Sequence, residues 1–197
     1  MFVKICGVTS PDIAQVAIDG GAQALGFIFH PASPRYIAPQ TLAQWIDTIP
    51  ANIWRVGVFV DRPAAEVERI CAHLNLNVAQ LHGHETGADF PTTMRVWKAI
   101  RVNGPIDPNA LDYPAEAILL DGPASGKPFN WSEARGLKQK IILAGGLDEH
   151  NVAEAIEQAQ PWGVDASSSL ESSPGKKDTA RIARFLQACQ SVALNPK

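Results

Sequence analysis

Short apolar runs recur along the chain at residues 2–6, 24–29, 55–60, 78–81, 96–100, 117–120, 141–144 and 163–166. Several are dense in Val and Ile and lack polar alternation, the pattern of strands buried on both faces in a parallel sheet. Between them the period lengthens. Ser10 and Pro11 open a stretch carrying Ile13, Val16 and Ala17 on one face, and Gly20-Gly21 closes it. Asp61 and Pro63 precede Val67, Ile70, Cys71 and Leu74, spaced i, i+3, i+4, i+7. Asp148 opens a helix with Val152, Ala155, Ile156 and Ala159 on one side, and the final stripe is Ile182, Phe185, Leu186 and Cys189. The connections at 31–41, 85–93 and 104–113 are rich in Pro and Gly and give weaker helical signals.

Strand followed by helix, repeated through one chain, implies right-handed crossovers and a parallel sheet. Eight strands close more economically into a (β/α)8 TIM barrel than into a sheet with exposed edges. Periodicity alone leaves a doubly wound open sheet as the alternative. At 197 residues, with no low-complexity break, the expectation is a single α/β barrel domain over 1–197 whose helices and loops are short.

Composition narrows the function. Hydrophobic residues at 46% against 19% charged support a large core and exclude disorder. With 17 Lys and Arg against 20 Asp and Glu, the net charge of −3 lacks the basic excess expected for nucleic acid or for a polybasic membrane anchor. No apolar run spans a bilayer, and the first residues have no secretory pattern, so a cytoplasmic chain is expected. Three cysteines without CxxC spacing argue against a disulfide framework or zinc ribbon.

In a barrel, chemistry belongs where strands end and the next loops begin. Those positions hold Cys6-Gly7, His30, Asp61, His82-Gly83, Arg101, Asp121-Gly122, Gly145-Gly146 and Ser167-Ser168, an almost wholly polar ring. LAGGL (143–147) lets backbone N–H groups approach an anion, and the hydroxyls of VDASSSLE (164–171) follow the last strand. Together they mark the usual phosphate end of a barrel, although a plain turn and a solvated loop are the bland readings of each. Cys6 shares a strand face with Lys4, whose ammonium would favour a thiolate. Asp121 ends an apolar strand, where low dielectric would favour a protonated carboxyl. Thiolate and carboxyl would form a base–acid pair, with a buried small hydrophobe and a helix cap as the bland alternatives. Cys71 and Cys189 fall on apolar helix stripes and read as core. His82 and His84 lack a third ligand at any recognisable spacing, so no metal is expected, and His82 reads as a pocket hydrogen-bonder or a structural histidine. Arg35, in SPR (33–35), stands in the long second loop. Lys98 fits a barrel-wall contact better than a Schiff-base lysine.

The segments KICGVT (4–9), GFIF (26–29), SPR, GVFV (57–60), QLHG (80–83), LLDG (119–122), SGKPFNW (125–131), LAGGL, VDASSSLE and SPGKKD (173–178) stand in an order that resembles the phosphoribosylanthranilate isomerases over essentially the whole chain. The resemblance implies a cofactor-free, metal-free enzyme of tryptophan biosynthesis. It would convert N-(5-phosphoribosyl)anthranilate to 1-(2-carboxyphenylamino)-1-deoxyribulose 5-phosphate by an Amadori rearrangement. It implies Asp121 as general acid and Cys6 as general base, with Arg35 on the anthranilate carboxylate, Asp178 on the anthranilate amine and His82 lining the pocket. Phosphate would lie on the backbone of Gly145, Gly146 and Leu147 and around Ser167 and Ser168. The implied partner is the small phosphorylated sugar–anthranilate substrate, with no nucleic acid or membrane, on a monomer or homodimer. Two departures stand out: Ser169 replaces the family's usual glycine, and the segment 122–126 is compressed. The related isomerase of histidine biosynthesis is the nearest rival, but it carries aspartate where this chain has Cys6, and its two-fold repeat is not evident here.

Overall fold

The computed structural model describes residues 1–123 and 127–193. Eight parallel strands close in chain order: β1 (Phe2–Cys6), β2 (Ala24–Ile28), β3 (Trp54–Phe59), β4 (Val78–Leu81), β5 (Arg95–Arg101), β6 (Ala117–Asp121), β7 (Ile141–Leu143) and β8 (Gly163–Ala166). The helices are α1 (Pro11–Asp19), α2 (Pro39–Ala43), α3 (Ala64–His73), α4 (Val152–Ala159) and α5 (Thr179–Ala193). A small antiparallel ribbon, β9 (Glu171–Ser173) with β10 (Lys176–Lys177), follows the eighth strand. Residues 124–126, within the compressed segment, lie outside the described residues.

Closure buries both faces of the strands. The outward set, including Ile5, Phe27, Phe59, Leu81, Ile118, Leu120 and Leu143, meets the helices in the main core. The inward set is layered. Ala24, Val56, Val78, Trp97, Leu119 and Ile142 pack low in the barrel, against Phe2, Trp54 and Trp162. Phe2 stacks on Trp162 at 4.4 Å and meets Trp54 edge-on at 5.4 Å, so aromatic rings plug the amino-terminal end. Continuing each strand upward by period two exposes the polar inward set at the opposite end, where the cavity lies.

Boundaries shift where side chains compete for the backbone. Ser10 caps α1 by accepting the Ile13 N–H (3.4 Å), but the fully buried face is Ala14 and Ala17, with Ile13 and Val16 half-buried. Asp61 does not cap α3. It sits in the left-handed region (φ 49°), and its carboxylate takes the His84 N–H at 2.6 Å, leaving Pro63 to precede the helix. Asp148 makes a local turn, accepting from the His150 and Asn151 N–H groups, which delays α4 to Val152. Among the described residues, the crossovers between β4 and β7 contain 3₁₀ turns at Gly87–Asp89, Pro108–Leu111 and Trp131–Ala134. No helix among the described residues is long and apolar enough to cross a membrane.

Candidate active site

A cavity of about 270 Å³ opens at the carboxyl ends of the strands. Cys6, His82, Asp121, Gly145, Gly146, Ser167, Ser168 and Arg35 all line it, joined by His30, Arg101, Gln80 and Asp165. The lining thus draws on opposite walls of one barrel mouth: Cys6 ends β1 and Asp121 ends β6.

Cys6 is buried, and the register Cys6↔Gly26 sets it beside a residue with no side chain. A Cβ on Gly26 would stand 2.8 Å from Cys6 Sγ and 3.0 Å from Lys4 Cε, so the thiol and the lysine stem occupy that space. Below it, fully buried Lys4 donates to Asp165 Oδ2 at 2.8 Å, across the β1–β8 register Lys4↔Asp165. Burial pushes the Cys6 thiol up; Lys4 pulls it down, the Asp165 carboxylate pushes it up, and Lys177 pulls it down. Lys4 thus favours the thiolate, and burial opposes it. Desolvation likewise pushes the Asp165 carboxyl up, against the pull of Lys4.

Asp121 faces a histidine across the mouth. The Gln80 amide nitrogen lies 3.1 Å from His82 Nδ1, and His82 Nε2 lies 3.4 Å from Asp121 Oδ2. Arg35 is not a solvated surface residue. Its stem lies over Gly7 (φ 74°), where a Cβ would stand 2.8 Å from Arg35 Cδ, and Glu171 grips its guanidinium at 2.6 and 2.8 Å. That grip uses one edge of the fork and leaves the other for a ligand carboxylate.

At the β7–β8 side, Gly145 and Gly146 both adopt positive φ (81° and 73°). The Asn151 amide donates to the Gly146 carbonyl at 2.8 Å, and the Ser169 hydroxyl donates to the Leu147 carbonyl. Those two bonds fix consecutive peptide planes of the glycine turn. Ser167 donates to the Cys6 carbonyl at 3.1 Å, tying this loop to β1. Among the described residues the N–H groups of Gly146 and Ser168 find no backbone acceptor, which suits an anion.

Two expectations are corrected. Asp178 does not line the cavity: its Oδ1 accepts from Ala180 and Arg181 N–H (2.9 and 3.0 Å), capping α5 and holding its carboxyl below the usual range. Leu147 packs its side chain into the core, which keeps it apart from the expectation made for its backbone. Asp61 turns outward to His84, and those two do not join the mouth. Lys98 is spent on Glu85 Oε2 and the Gly83 carbonyl, both at 2.7 Å, consistent with a wall contact. The residues that sequence reasoning missed are Gln80, Asp165, Glu171 and Lys177. A lone carboxylate in the apolar run of β8, two positions before Ser167, was a usable signal for Asp165. Glu171 and Lys177 gave none, because only the β9–β10 ribbon brings them together.

Three comparisons bear on this site. The family model described as N-(5'phosphoribosyl)anthranilate (PRA) isomerase matches residues 3–188. The N-(5'-phosphoribosyl)anthranilate isomerase of Solibacter usitatus is 48% identical, over 98% of both chains. The crystal structure of the phosphoribosyl anthranilate isomerase from Thermus thermophilus superposes with a TM-score of 0.90 at 36% identity, covering 98% of this chain and 100% of that one. A further isomerase structure, solved with reduced 1-(o-carboxyphenylamino)-1-deoxyribulose 5-phosphate, has a TM-score of 0.87 at 34% identity, covering 97% of this chain and 99% of that one.

Proposed function

This chain belongs to the N-(5'-phosphoribosyl)anthranilate isomerase family and is an isomerase, and from that premise we propose that Asp121 and Cys6 drive its reaction as acid and base. The substrate is N-(5'-phosphoribosyl)anthranilate and the product 1-(o-carboxyphenylamino)-1-deoxyribulose 5-phosphate, a step of tryptophan biosynthesis. The observation carrying this reading is that Cys6 and Asp121 line one cavity, with the double-glycine turn and serine loop on the wall between them.

Asp121 gives its proton to the ribose ring oxygen. The C1–O bond breaks, and the nitrogen lone pair forms the C1=N iminium. The Cys6 thiolate removes the C2 hydrogen as a proton, and the freed electron pair forms C1=C2 while the iminium electrons return to nitrogen. Protonation at C1 and loss of the enol proton give the ketone, so nothing is oxidised or reduced overall. The acid must hold a proton and the base must lose one, which is why the two belong on opposite walls with different neighbours.

The backbone of Gly145, Gly146 and Leu147 and the loop at Ser167 and Ser168 hold the phosphate through N–H groups and the Ser168 hydroxyl, needing no basic excess. The free edge of the Arg35 guanidinium takes the anthranilate carboxylate, and His82 fixes Asp121 from the side. Asp178 contributes by starting α5 beneath the phosphate loop, not by touching the amine.

Adding the purified protein to N-(5'-phosphoribosyl)anthranilate and following the fluorescence of the anthranilate group tests the activity. The signal falls with turnover, and the product has the mass of the substrate. A stable signal at micromolar enzyme overturns the assignment.

A further inference from the structure

Behind Arg35 lies a charge cluster that the reaction scheme leaves unused. Glu171, buried at the start of β9, spends both carboxylate oxygens: Oε1 accepts from Arg35 Nε at 2.6 Å and from Lys177 Nζ at 2.8 Å, and Oε2 from Arg35 Nη2 at 2.8 Å and the Gly175 N–H at 3.1 Å. Lys177 is buried as well, and its ammonium also donates to the Ser167 carbonyl at 3.0 Å. Ser167 is the residue whose hydroxyl bonds the Cys6 carbonyl. Two cations therefore share one carboxylate, leaving one positive charge uncompensated in a corner largely shielded from water. Such a charge is costly until an anion completes it. On the cavity side the available anions are a Cys6 thiolate and a ligand carboxylate at Arg35.

We propose that Glu171 and Lys177 form a positioning pair for the base: Glu171 fixes the Lys177 ammonium at the Ser167–Cys6 corner, and that ammonium stabilises the thiolate on which proton abstraction depends. The proposal rests on Cys6 being the base. The charged and titratable groups around Cys6 are Lys4 on its own strand, Asp165 on β8, Lys177 on β10 and Arg35 over Gly7, with His82 and Asp121 also on the cavity wall. Lys4 and Asp165 pull the thiol in opposite directions as a pair, whereas Lys177 pulls it toward ionisation while Glu171 is shared with Arg35. Lys177 in turn is held low by burial against the support of Glu171 and Cys6.

The test is the pH dependence of Cys6 alkylation by iodoacetamide, with Cys71 and Cys189 replaced by alanine throughout, alongside kcat and KM. In Lys177→Met the alkylation midpoint rises by about one pH unit, so that alkylation near neutrality slows about tenfold. The turnover number falls with it, KM changes far less, and Lys177→Arg restores most of both. Glu171→Gln leaves both cations without their shared counter-ion, so the midpoint moves down instead of up, and this decides the matter if Lys177→Met does not fold. Midpoints unchanged in both variants while Cys6→Ala is inactive overturn the pair alone. An active Cys6→Ala overturns the assignment beneath it.

Discussion

A methyl group at residue 26 would stand 2.8 Å from Cys6 Sγ, so the base keeps its position because β2 has no side chain there. Gly26→Ala must push the sulfur or the Lys4 stem aside. Turnover is expected to drop at least tenfold, with a stability loss of about 1–3 kcal/mol, read from initial rates and thermal melting; a near-native rate would mean the thiol need not sit where it does. At this scale the sequence was most legible where function and strand end coincide. Cys6, Asp121, His82, Gly145 and Ser167 follow from asking which polar residues close apolar runs. Asp178 was placed at the amine by the family resemblance alone, whereas its Oδ1 accepts the Ala180 and Arg181 N–H groups and caps α5. Glu171 and Lys177 were illegible because a buried ion pair across a ribbon has no periodicity to betray it.

Among the elements, the loops after β7 and β8 are joined by a serine side chain. The Ser169 hydroxyl donates to the Leu147 carbonyl, and the Asn151 amide to the Gly146 carbonyl, so the glycine turn after β7 is braced from α4 and from the loop after β8. Ser169→Gly removes one brace. KM is expected to rise about three- to tenfold, the scale of one hydrogen bond, with kcat nearly unchanged. Unaltered KM in steady-state kinetics would show that the turn holds its shape unaided. The eight strands were legible to within a residue or two, since buried parallel strands announce themselves as apolar runs. The helices were less so. Asp61 and Asp148 look like caps, yet each spends its carboxylate on loop N–H groups. Pro- and Gly-rich crossovers after β4, β5 and β6 settle as 3₁₀ turns too brief to leave a stripe.

As a whole, the molecule separates its stability from its chemistry along the barrel axis, with aromatic rings at the foot and charge at the mouth. Its pH limits follow from groups away from the site. Burial pushes the Cys71 and Cys189 thiols from 9.0 up to about 12. An acid whose folded value lies above its unfolded one stabilises fully below the unfolded value and loses that contribution as pH rises. Melting temperature should therefore fall as pH passes 9 toward 11, by up to about 3 kcal/mol of stability per thiol. Alanine at Cys71 and Cys189 should flatten that limb; an unchanged alkaline slope would place its cause elsewhere. On the acid side, backbone N–H groups hold Asp61, Glu68, Asp89 and Asp178 low, so their support is present near neutrality and lost as pH falls below about 4. The central claim concerns the mouth: one thiol and one carboxyl, on opposite walls, carry the proton transfers. Initial rates of Cys6→Ala and Asp121→Asn on N-(5'-phosphoribosyl)anthranilate, with binding of the reduced product measured in the same preparations, test it directly. Both variants should bind the reduced product within a few-fold of the parent yet turn over roughly 10²–10⁴ times more slowly. Turnover within tenfold of the parent in either variant would contradict it.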